Sequence, residues 1–363
     1  MTDAPVTLAP GATIGVLGGG QLGRMLAIAA AQLGFRCHVY APPGDNPAFD
    51  VAAAHTAAAY DDENALERFA AAVNVVTFEF ENVPVAVLDR LAPLVRVAPG
   101  RKALHVTQDR LTEKQFVQGL GINVAPFAPV SGPDDEALAR IGTPAILKTR
   151  RFGYDGKGQI RVSSPEEAEA ALAAMAGQPA ILEGHIAFDR EVSVIAARGA
   201  DGAVAVYDIV ENRHADQILR TSLVPANINS LLAAEARQIA RRVAEGLDYV
   251  GVLAVELFVA GDTLIVNEIA PRVHNSGHWT LDACATSQFE QHVRAIAGWP
   301  LGDPARHSDA VMVNLLGDEV NAWRSLAADL RTSIHIYGKA EARPGRKMGH
   351  ATRLEPLSAP AGE

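Results

Sequence analysis

Residues 255–268 read VELFVAGDTLIVNE, and this stretch decides the fold. Two apolar runs meet at a GDT turn, which predicts an antiparallel hairpin of two largely buried strands. A three-residue loop at this turn would set Ala260 against Leu264, and counting outward by twos would then set Glu256 against Glu268. The hairpin is therefore expected to present two facing carboxylates.

The facing carboxylates of Glu256 and Glu268 indicate a cation site, because like charges opposite each other destabilise an apolar hairpin unless a cation lies between them. Carboxylate oxygens, without a Cys or His pair at ligand spacing, favour Mg²⁺, with Mn²⁺ as a substitute, over zinc. A two-residue loop would instead place Asn267 opposite Glu256, and two separately solvated glutamates are the structural alternative.

The sequence upstream of the hairpin carries groups suited to a triphosphate. Lys148 ends the apolar strand PAILK, so its ammonium group is expected to emerge at the strand end. The glycine-rich stretch RFGYDGKGQIRV, residues 151–162, links two strands and lacks the Walker pattern. It favours a mobile lid whose N–H groups and Lys157 meet phosphates, with a plain hairpin turn as the alternative. Glu183 and Glu191 border apolar strands and can accept hydrogen bonds from an adenine or a ribose, with solvated strand ends as the alternative.

Polar side chains crowd the loop APRVHNSGHWT that follows the hairpin, residues 270–280. A guanidinium group there can hold an anion with two parallel hydrogen bonds, and its neighbours can donate or accept others. We interpret the loop as part of a substrate pocket formed by Arg272, His274, Asn275, Ser276 and His278. A second basic turn, RPGRKMGH, carries Arg346 and Lys347 and is either a further phosphate contact or an exposed turn.

The first hundred residues alternate strand and helix patterns, which predicts a parallel α/β unit. Within it GVLGGGQLGRM, residues 15–25, has the G-x-G-x-x-G spacing of a dinucleotide-binding turn. Such sites need an acidic residue at the end of the second strand, but here CHVY is followed by Ala41, Pro42 and Pro43. No bound NAD is therefore expected, although the N-terminus of the next helix can still hold an anion of a smaller ligand.

The composition predicts a globular chain without a nucleic-acid or membrane partner. Of the 363 residues 20% are charged, the formal net charge is −10, and no Lys/Arg cluster of the kind that binds nucleic acid is present. No apolar run has the length of a membrane span, and no leader-like segment precedes the first strand. We expect a cytoplasmic location, with Cys37 and Cys284 as free, buried thiols.

The chain resembles the ATP-grasp superfamily of carboxylate–amine ligases in the order of Lys148, the glycine-rich stretch, Glu183, Glu191 and the Glu256/Glu268 pair. Over residues 13–353 it is similar to the N5-carboxyaminoimidazole ribonucleotide synthetase family through GGGQLGRM, EFENV, TQDRLTEK, GYDGKGQ, VENRH and NEIAPRVHNSGHWT. The resemblance implies a mixed α/β and α+β chain with an ATP-grasp fold. The implied domains are a Rossmann-like parallel α/β domain at 1–106, an ATP-grasp domain at 107–300 with a mobile lid at about 145–205, and a small C-terminal α+β domain at 301–363.

The reaction implied by the resemblance joins bicarbonate to 5-aminoimidazole ribonucleotide at the expense of ATP, through carboxyphosphate, in purine biosynthesis. Sister ligases such as formate-dependent glycinamide ribonucleotide transformylase and biotin carboxylase share the ATP half, so EFENV and HNSGHWT separate the alternatives. An NAD-dependent oxidoreductase and a non-catalytic nucleotide sensor are two further alternatives. The implied partners are these small molecules and a second copy of the chain in a homodimer.

The resemblance also implies site residues, which fall into groups by ligand. ATP is expected to contact Arg110, Lys148, Gly153, Tyr154, Asp155, Gly156, Lys157, Gly158, Gln159, Glu183, Gly184, His185, Ile186, Glu191, His214, Asn267 and Glu268. The ribonucleotide is expected to contact Gln21, Leu22, Glu79, Glu81, Asn82, His274 and Arg346. Catalytic roles are implied for Arg272, Asn275 and Ser276 at bicarbonate or carboxyphosphate, and for Tyr154, Asp155 and Lys347 in orienting the aminoimidazole.

Overall fold

The computed structural model describes residues 6–130, 136–153, 157–175 and 178–358. Three predicted site residues, Tyr154, Asp155 and Gly156, lie outside these ranges. Within the described ranges, no helix combines the length and the apolar character that a membrane crossing requires.

A parallel five-stranded sheet forms the first hundred residues, as the alternating pattern predicts, with the strand order β3-β2-β1-β4-β5. Its strands are β1 Thr13–Leu17, β2 Arg36–Ala41, β3 Ala54–Ala57, β4 Val75–Phe78 and β5 Arg96–Val97. The intervening helices are α1 Gln21–Gln32, α2 Glu63–Ala71 and α3 Val85–Leu91. The sequence analysis missed β3, because its four residues AHTA are mostly exposed and form no apolar run.

Two helices, α4 Arg101–Thr107 and α5 Arg110–Gly119, connect this sheet to the rest of the chain. Within the stretch TQDRLTEKQFVQGLG, residues 107–121, α5 begins at Arg110. The Asp109 carboxylate accepts hydrogen bonds from the N–H groups of Leu111 at 3.1 Å and Thr112 at 3.3 Å, so it caps α5 and separates it from α4.

A small antiparallel sheet follows, with the strand order β6-β9-β7-β8. Its strands are β6 Phe127–Val130, β7 Ala145–Thr149, β8 Gln159–Val162 and β9 Ala180–Gly184, and its helices are α6 Ala137–Ile141 and α7 Pro165–Ala174. These elements enclose an apolar cluster of their own that includes Leu147, Val162 and Leu182. The small sheet therefore has a separate core, as a lid needs if it is to move as a unit.

A nine-stranded sheet contains the remaining strands, with the path β15-β14-β10-β12-β13-β16-β18-β17 and β11 beside β10. Its strands are β10 Arg190–Arg198, β11 Val204–Val206, β12 Val210–Ala215, β13 Ile218–Val224, β14 Gly251–Ala260, β15 Thr263–Ala270, β16 Asp309–Leu316, β17 Thr332–Ile336 and β18 Lys347–Glu355. The helices of this part are α8 Ser230–Gly246, α9 Thr280–Ala283, α10 Gln288–Ala297 and α11 Trp323–Ala327. The three C-terminal strands thus continue the sheet that begins with β10.

The hairpin of β14 and β15 has a two-residue turn, since Ala260 pairs with Thr263. The three-residue loop and the pairing of Ala260 with Leu264 predicted from the sequence are therefore wrong. The alternative pairing of Asn267 with Glu256 is also wrong, because a β-bulge inserts one extra residue between Val266 and Glu268. Glu256 consequently pairs with Glu268 after all, so the predicted facing carboxylates are confirmed for a different physical reason.

Candidate active site

The glycine-rich turn before α1 holds a carboxylate of the protein itself. The backbone N–H groups of Gly20 and Gly23 donate to the two carboxylate oxygens of Glu79, which follows β4 and is 6% exposed. A Cβ atom at Gly20 would lie 2.8 Å from Glu79 Oε1, and one at Gly23 would lie 2.9 Å from the carbonyl oxygen of Gly18. The N–H groups before and within the first turn of α1 thus hold a side-chain carboxylate, and the glycines make room for it. An anion of a bound ligand at this helix N-terminus stays a prediction.

Burial raises the pKa of the Glu79 carboxyl group, and the two N–H hydrogen bonds only partly oppose this effect. Around Glu79, the predicted ribonucleotide residues Gln21 and Asn82 are half-buried, whereas Leu22 is part of the apolar core. The Leu22 side chain therefore lies in the protein interior, and a contact of Leu22 with the ribonucleotide stays a prediction.

Glu81 and Arg272 form an ion pair between the first domain and the loop after β15. Arg272 Nη2 donates to Glu81 Oε1 at 3.1 Å, and its Nε donates to the other carboxylate oxygen. Burial alone would raise the pKa of Glu81, but the charge and hydrogen bonds of Arg272 outweigh it and hold the pKa at about 2. Two residues predicted separately, one for each substrate, are thus in direct contact.

The facing carboxylates Glu256 and Glu268 each have a basic partner. His274 Nε2 lies 2.9 Å from Glu256 Oε1, and Arg110 Nη1 donates to Glu268 Oε2 at 3.0 Å. Burial would raise the pKa of Glu256, but the hydrogen bond and charge of His274 lower it. Two carboxylates at directly opposed cross-strand positions provide the oxygen ligands that a hard divalent cation prefers.

A hydrogen-bonded chain runs from Glu256 into the sheet. His274 Nδ1 lies 2.9 Å from Ser276 Oγ, which lies 2.7 Å from Ser193 Oγ on β10. Both serine side chains are completely buried. In the same short helical turn, the amide nitrogen and oxygen of Asn275 are buried without a hydrogen-bond partner. Such unsatisfied groups are costly in a folded protein, so Asn275 is suited to a polar ligand.

Two lysine ammonium groups meet the buried carboxylate of Glu183 on β9. Lys148 Nζ donates to Glu183 Oε2 at 2.9 Å, and Lys114 Nζ lies 3.5 Å from the same oxygen. Burial would raise the pKa of Glu183, but the two ammonium groups outweigh it and hold the pKa at about 2. The second oxygen, Oε1, is buried and has no hydrogen-bond partner. An exocyclic amino group is a fitting donor for this unsatisfied acceptor.

Two buried charged residues of α5, Glu113 and Lys114, were not predicted from the sequence as site residues. Glu113 is 3% exposed and Lys114 is 1% exposed. Both face β15: Glu113 Oε1 accepts a hydrogen bond from the N–H of Ile269 at 2.6 Å, and Lys114 donates to backbone carbonyl oxygens of the same strand. The available signal was their position beside Val117 on the buried face of the helix.

The remaining predicted ATP residues border the two sheets. Glu191 accepts a hydrogen bond from His214 Nδ1, and burial lowers the pKa of His214 less than this partner raises it. The Arg110 guanidinium lies beside Gly153, since a Cβ atom there would be 3.3 Å from Arg110 Nη2. The described part of the predicted lid also contains Lys157, Gly158 and Gln159, and the predicted hinge contains Gly184, His185 and Ile186.

A basic cluster from the C-terminal strands meets the first domain. Arg346 Nη2 donates to Asp45 Oδ2 at 2.7 Å, in the loop after β2. Lys339 Nζ donates to the carbonyl oxygen of Lys347 at 2.6 Å. Burial, with the charge of Arg346, lowers the pKa of Lys339 to about 8, while Glu79 opposes the shift. The sequence analysis identified Arg346 and Lys347 but missed Lys339, whose single position in a turn carries no pattern.

The chain is similar over nearly its whole length to proteins of one family. Three family models match the chain: the ribonucleotide synthetase preATP-grasp domain at 11–108, the ATP-grasp domain at 115–289, and the phosphoribosylaminoimidazole carboxylase C-terminal domain at 310–360. The N5-carboxyaminoimidazole ribonucleotide synthase of Brucella melitensis biotype 1 is 54% identical over 358 residues, which cover 96% of this chain and 98% of that protein. The ATP-grasp fold predicted from the sequence is confirmed.

Two solved structures extend the comparison to three dimensions. N5-carboxyaminoimidazole ribonucleotide synthetase from Thermus thermophilus is 49% identical with a TM-score of 0.89, covering 94% of this chain and 93% of that chain. The Aspergillus clavatus synthase in complex with ADP and 5-aminoimidazole ribonucleotide is 31% identical with a TM-score of 0.89, covering 96% of this chain and 94% of that chain.

Proposed function

The chain belongs to the N5-carboxyaminoimidazole ribonucleotide synthase family, and on this premise we propose that it uses ATP and bicarbonate to carboxylate 5-aminoimidazole ribonucleotide. The products are N5-carboxyaminoimidazole ribonucleotide, ADP and phosphate, so the enzyme is a carbon–nitrogen ligase of purine biosynthesis. The observation that carries the proposal is the cross-strand pair Glu256–Glu268 beside Arg110 and the loop at Arg272.

The proposed ATP site lies between the small sheet and the nine-stranded sheet. The unsatisfied Oε1 atom of Glu183 supports an adenine amino group at this position. Lys148 and Arg110 supply positive charge for the phosphates, and the glycine-rich segment that begins at Gly153 supplies the lid. Glu191 and the hinge from Glu183 to Ile186 complete the nucleotide contacts.

We propose Mg²⁺ as the metal held by Glu256 and Glu268, with Asn267 adjacent. The two carboxylates fit a hard cation, and their repulsion is removed when one is bound. Mg²⁺ in this position would neutralise charge on the triphosphate during phosphoryl transfer. Before binding, His274 and Arg110 balance the two carboxylates, so these basic groups can turn to substrate oxygens when the metal takes over that role.

The carboxylation half of the site is proposed around Arg272. Glu81 fixes one edge of its guanidinium group, and the carbonyl oxygen of Val273 accepts a hydrogen bond from Nη1 at 3.2 Å. The remaining N–H groups of Nη1 and Nη2 are left to orient bicarbonate and stabilise a carboxyphosphate intermediate. Asn275 has a buried amide without partners beside this position, and Ser276 holds His274 in place. The ribonucleotide is proposed to lie between the Glu79 turn and the basic cluster of Lys339, Arg346 and Lys347.

The proposal includes a cytoplasmic location and a homodimer. Cys37 and Cys284 are both buried and free, which is usual in a reducing compartment. The homodimer rests on the family resemblance, and sedimentation analysis of the purified chain tests it directly.

The test is ADP release by the purified chain with Mg·ATP, leaving out bicarbonate and then 5-aminoimidazole ribonucleotide. Fast ADP release that requires the ribonucleotide, together with a carboxylated ribonucleotide as product, is the expected result. If the rate of ADP release does not depend on the ribonucleotide, the chain is an ATP-grasp enzyme that uses another acceptor. Glycinamide ribonucleotide with formate is the comparison substrate pair, because a sister ligase would use it in the same assay.

A further inference from the structure

The bulge at Asn267 leaves backbone groups of β15 outside the strand ladder. In a β-bulge the extra residue has no counterpart on the partner strand, so its neighbours need hydrogen-bond partners from elsewhere. The N–H of Val266 donates to the carbonyl oxygen of Asn123 at 2.9 Å, and α5 supplies further partners. Lys114 Nζ donates to the carbonyl oxygen of Asn267 at 2.8 Å and to that of Val266 at 3.2 Å.

The neighbouring residue of α5 holds the strand on the other side of the bulge. Glu113 Oε1 accepts a hydrogen bond from the N–H of Ile269 at 2.6 Å. Two consecutive residues of α5 therefore grip the backbone immediately before and immediately after Glu268. Both are almost completely buried, so water does not compete for these hydrogen bonds.

The grip matters because the bulge decides which side chain faces Glu256. With a two-residue turn and a regular ladder, residue 267 would stand opposite Glu256, and a shift of one residue would turn Glu268 to the other face of the sheet. The extra residue restores the carboxylate pair. A bulge is also a local weak point of the ladder, and hydrogen bonds from a neighbouring helix can fix its geometry.

We propose that Glu113 and Lys114 are positioning residues which hold the β-bulge, so that the carboxylates of Glu256 and Glu268 converge on one divalent cation. This inference rests on the proposed function only for the identity of the metal site. Lys114 also lies 3.5 Å from Glu183, so the same residue connects the metal strand to the base pocket. Neither residue reaches the reacting atoms, and both act through β15.

Two substitutions of Glu113 distinguish the effect of side-chain length from the effect of side-chain charge. Glu113→Asp keeps a carboxylate but shortens the side chain by one methylene, so the hydrogen bond to Ile269 is lost. Glu113→Gln removes the charge but keeps a carbonyl oxygen at the same distance. Mn²⁺ binding to the chain in the presence of ADP is measured by electron paramagnetic resonance. The affinity for ADP without metal is the control, because it reports whether the proposed base pocket is intact.

The expected result is a rise of about tenfold or more in the Mn²⁺ dissociation constant of Glu113→Asp, the range typical of residues that orient metal ligands. Glu113→Gln is expected to stay within about threefold of the parent, with metal-free ADP affinity unchanged in both variants. Parental binding in Glu113→Asp, or a loss of similar size in Glu113→Gln, would overturn the proposal. If Glu113→Asp does not fold, Lys114→Met takes its place. Mn²⁺ binding by Lys114→Met with the affinity of the parent would then overturn the proposal.

The positioning role of Glu113 and Lys114 and the proposed carboxylation activity can fail independently of each other. Ribonucleotide-dependent ADP release by the parent tests the acceptor, whereas the ranking of the two Glu113 variants in Mn²⁺ binding needs no acceptor at all. A parent that binds Mn²⁺ but ignores the ribonucleotide would leave the positioning role intact and remove only the substrate assignment. A parent that does not bind Mn²⁺ would overturn the positioning role together with the metal site.

Discussion

Glu256 and Glu268 are direct cross-strand partners, although the turn between their strands has only two residues and a regular ladder would separate them. Two carboxylates in that relationship repel each other unless a positive charge lies close by. The chain provides His274 and Arg110 for this purpose, one for each carboxylate. His274 and Arg110 therefore offset the repulsion between the two carboxylates in the folded chain.

Glu268→Gln should reduce metal-dependent ADP release by about 100-fold, because one anionic ligand is lost from the cation site. The fold should persist, since the amide still accepts a hydrogen bond from Arg110. The measurement is turnover at increasing Mg²⁺ concentration, with the exposed Glu235→Gln on α8 as the matched control. Turnover close to that of the parent would contradict the metal assignment.

Glu183→Gln should relax the preference for an adenine base. A carboxylate oxygen only accepts hydrogen bonds, whereas a glutamine amide can also donate one to the 6-oxo group of a hypoxanthine base. We expect the ratio of kcat/KM for ATP over inosine triphosphate to fall by about tenfold or more. Glu211→Gln removes another buried, ion-paired carboxylate on β12 and serves as the control. An unchanged ratio would show that Glu183 does not contact the base.

Gly23→Ala should lower the free energy of unfolding by about 1–3 kcal/mol, because the new methyl group is forced against a backbone oxygen. A Cβ atom at this position would lie 2.9 Å from the carbonyl oxygen of Gly18, and backbone cannot move aside cheaply. Gly119→Ala, where a Cβ meets nothing within 4 Å, is the control and should be neutral or slightly stabilising. Urea unfolding followed by circular dichroism measures both, and equal stabilities would contradict the crowding at the turn.

The Glu81–Arg272 ion pair should make stability depend on pH in the acid range. The pKa of Glu81 is about 2 in the folded chain against an ordinary value of 4.5, so between these values the unfolded chain binds a proton that the folded chain does not. The stabilisation is fully present above pH 4.5 and is lost as the pH falls toward 2. As the pH is lowered from 6 to about 3.5, the free energy of unfolding should therefore fall less for Glu81→Gln than for the parent. Urea unfolding at each pH measures it. Parallel pH profiles would argue against the depressed pKa.

Much of the architecture was accessible from the sequence, because local patterns determine it. The alternation of strand and helix patterns in the first hundred residues predicted the parallel sheet and its helices. The facing glutamates were also predicted, but from a loop length that is wrong. The bulge that restores their pairing depends on contacts from α5, and no pattern within the hairpin indicates a helix that lies so much earlier in the chain.

The residues that were missed share one property: their roles arise from tertiary placement. Glu113 and Lys114 look like an ordinary solvated pair in a helix, and only the docking of α5 against β15 buries them. The glycine-rich turn shows the reverse case, since its spacing was recognised but its partner, the Glu79 carboxylate, comes from the end of another strand. Spacing predicts that an anion is accommodated, and it does not say which one.

The continuation of the large sheet by β16, β18 and β17 has a consequence for biosynthesis on the ribosome. Until β16 has emerged from the ribosome, β13 is an unpaired edge strand of the sheet. Unpaired edge strands can pair with strands of other chains. Arg346 and Ala340, which donate hydrogen bonds to Asp45 of the first domain, are also translated late. A nascent chain interrupted before these strands therefore lacks the contacts with Asp45 and exposes an unpaired strand edge that is prone to aggregate.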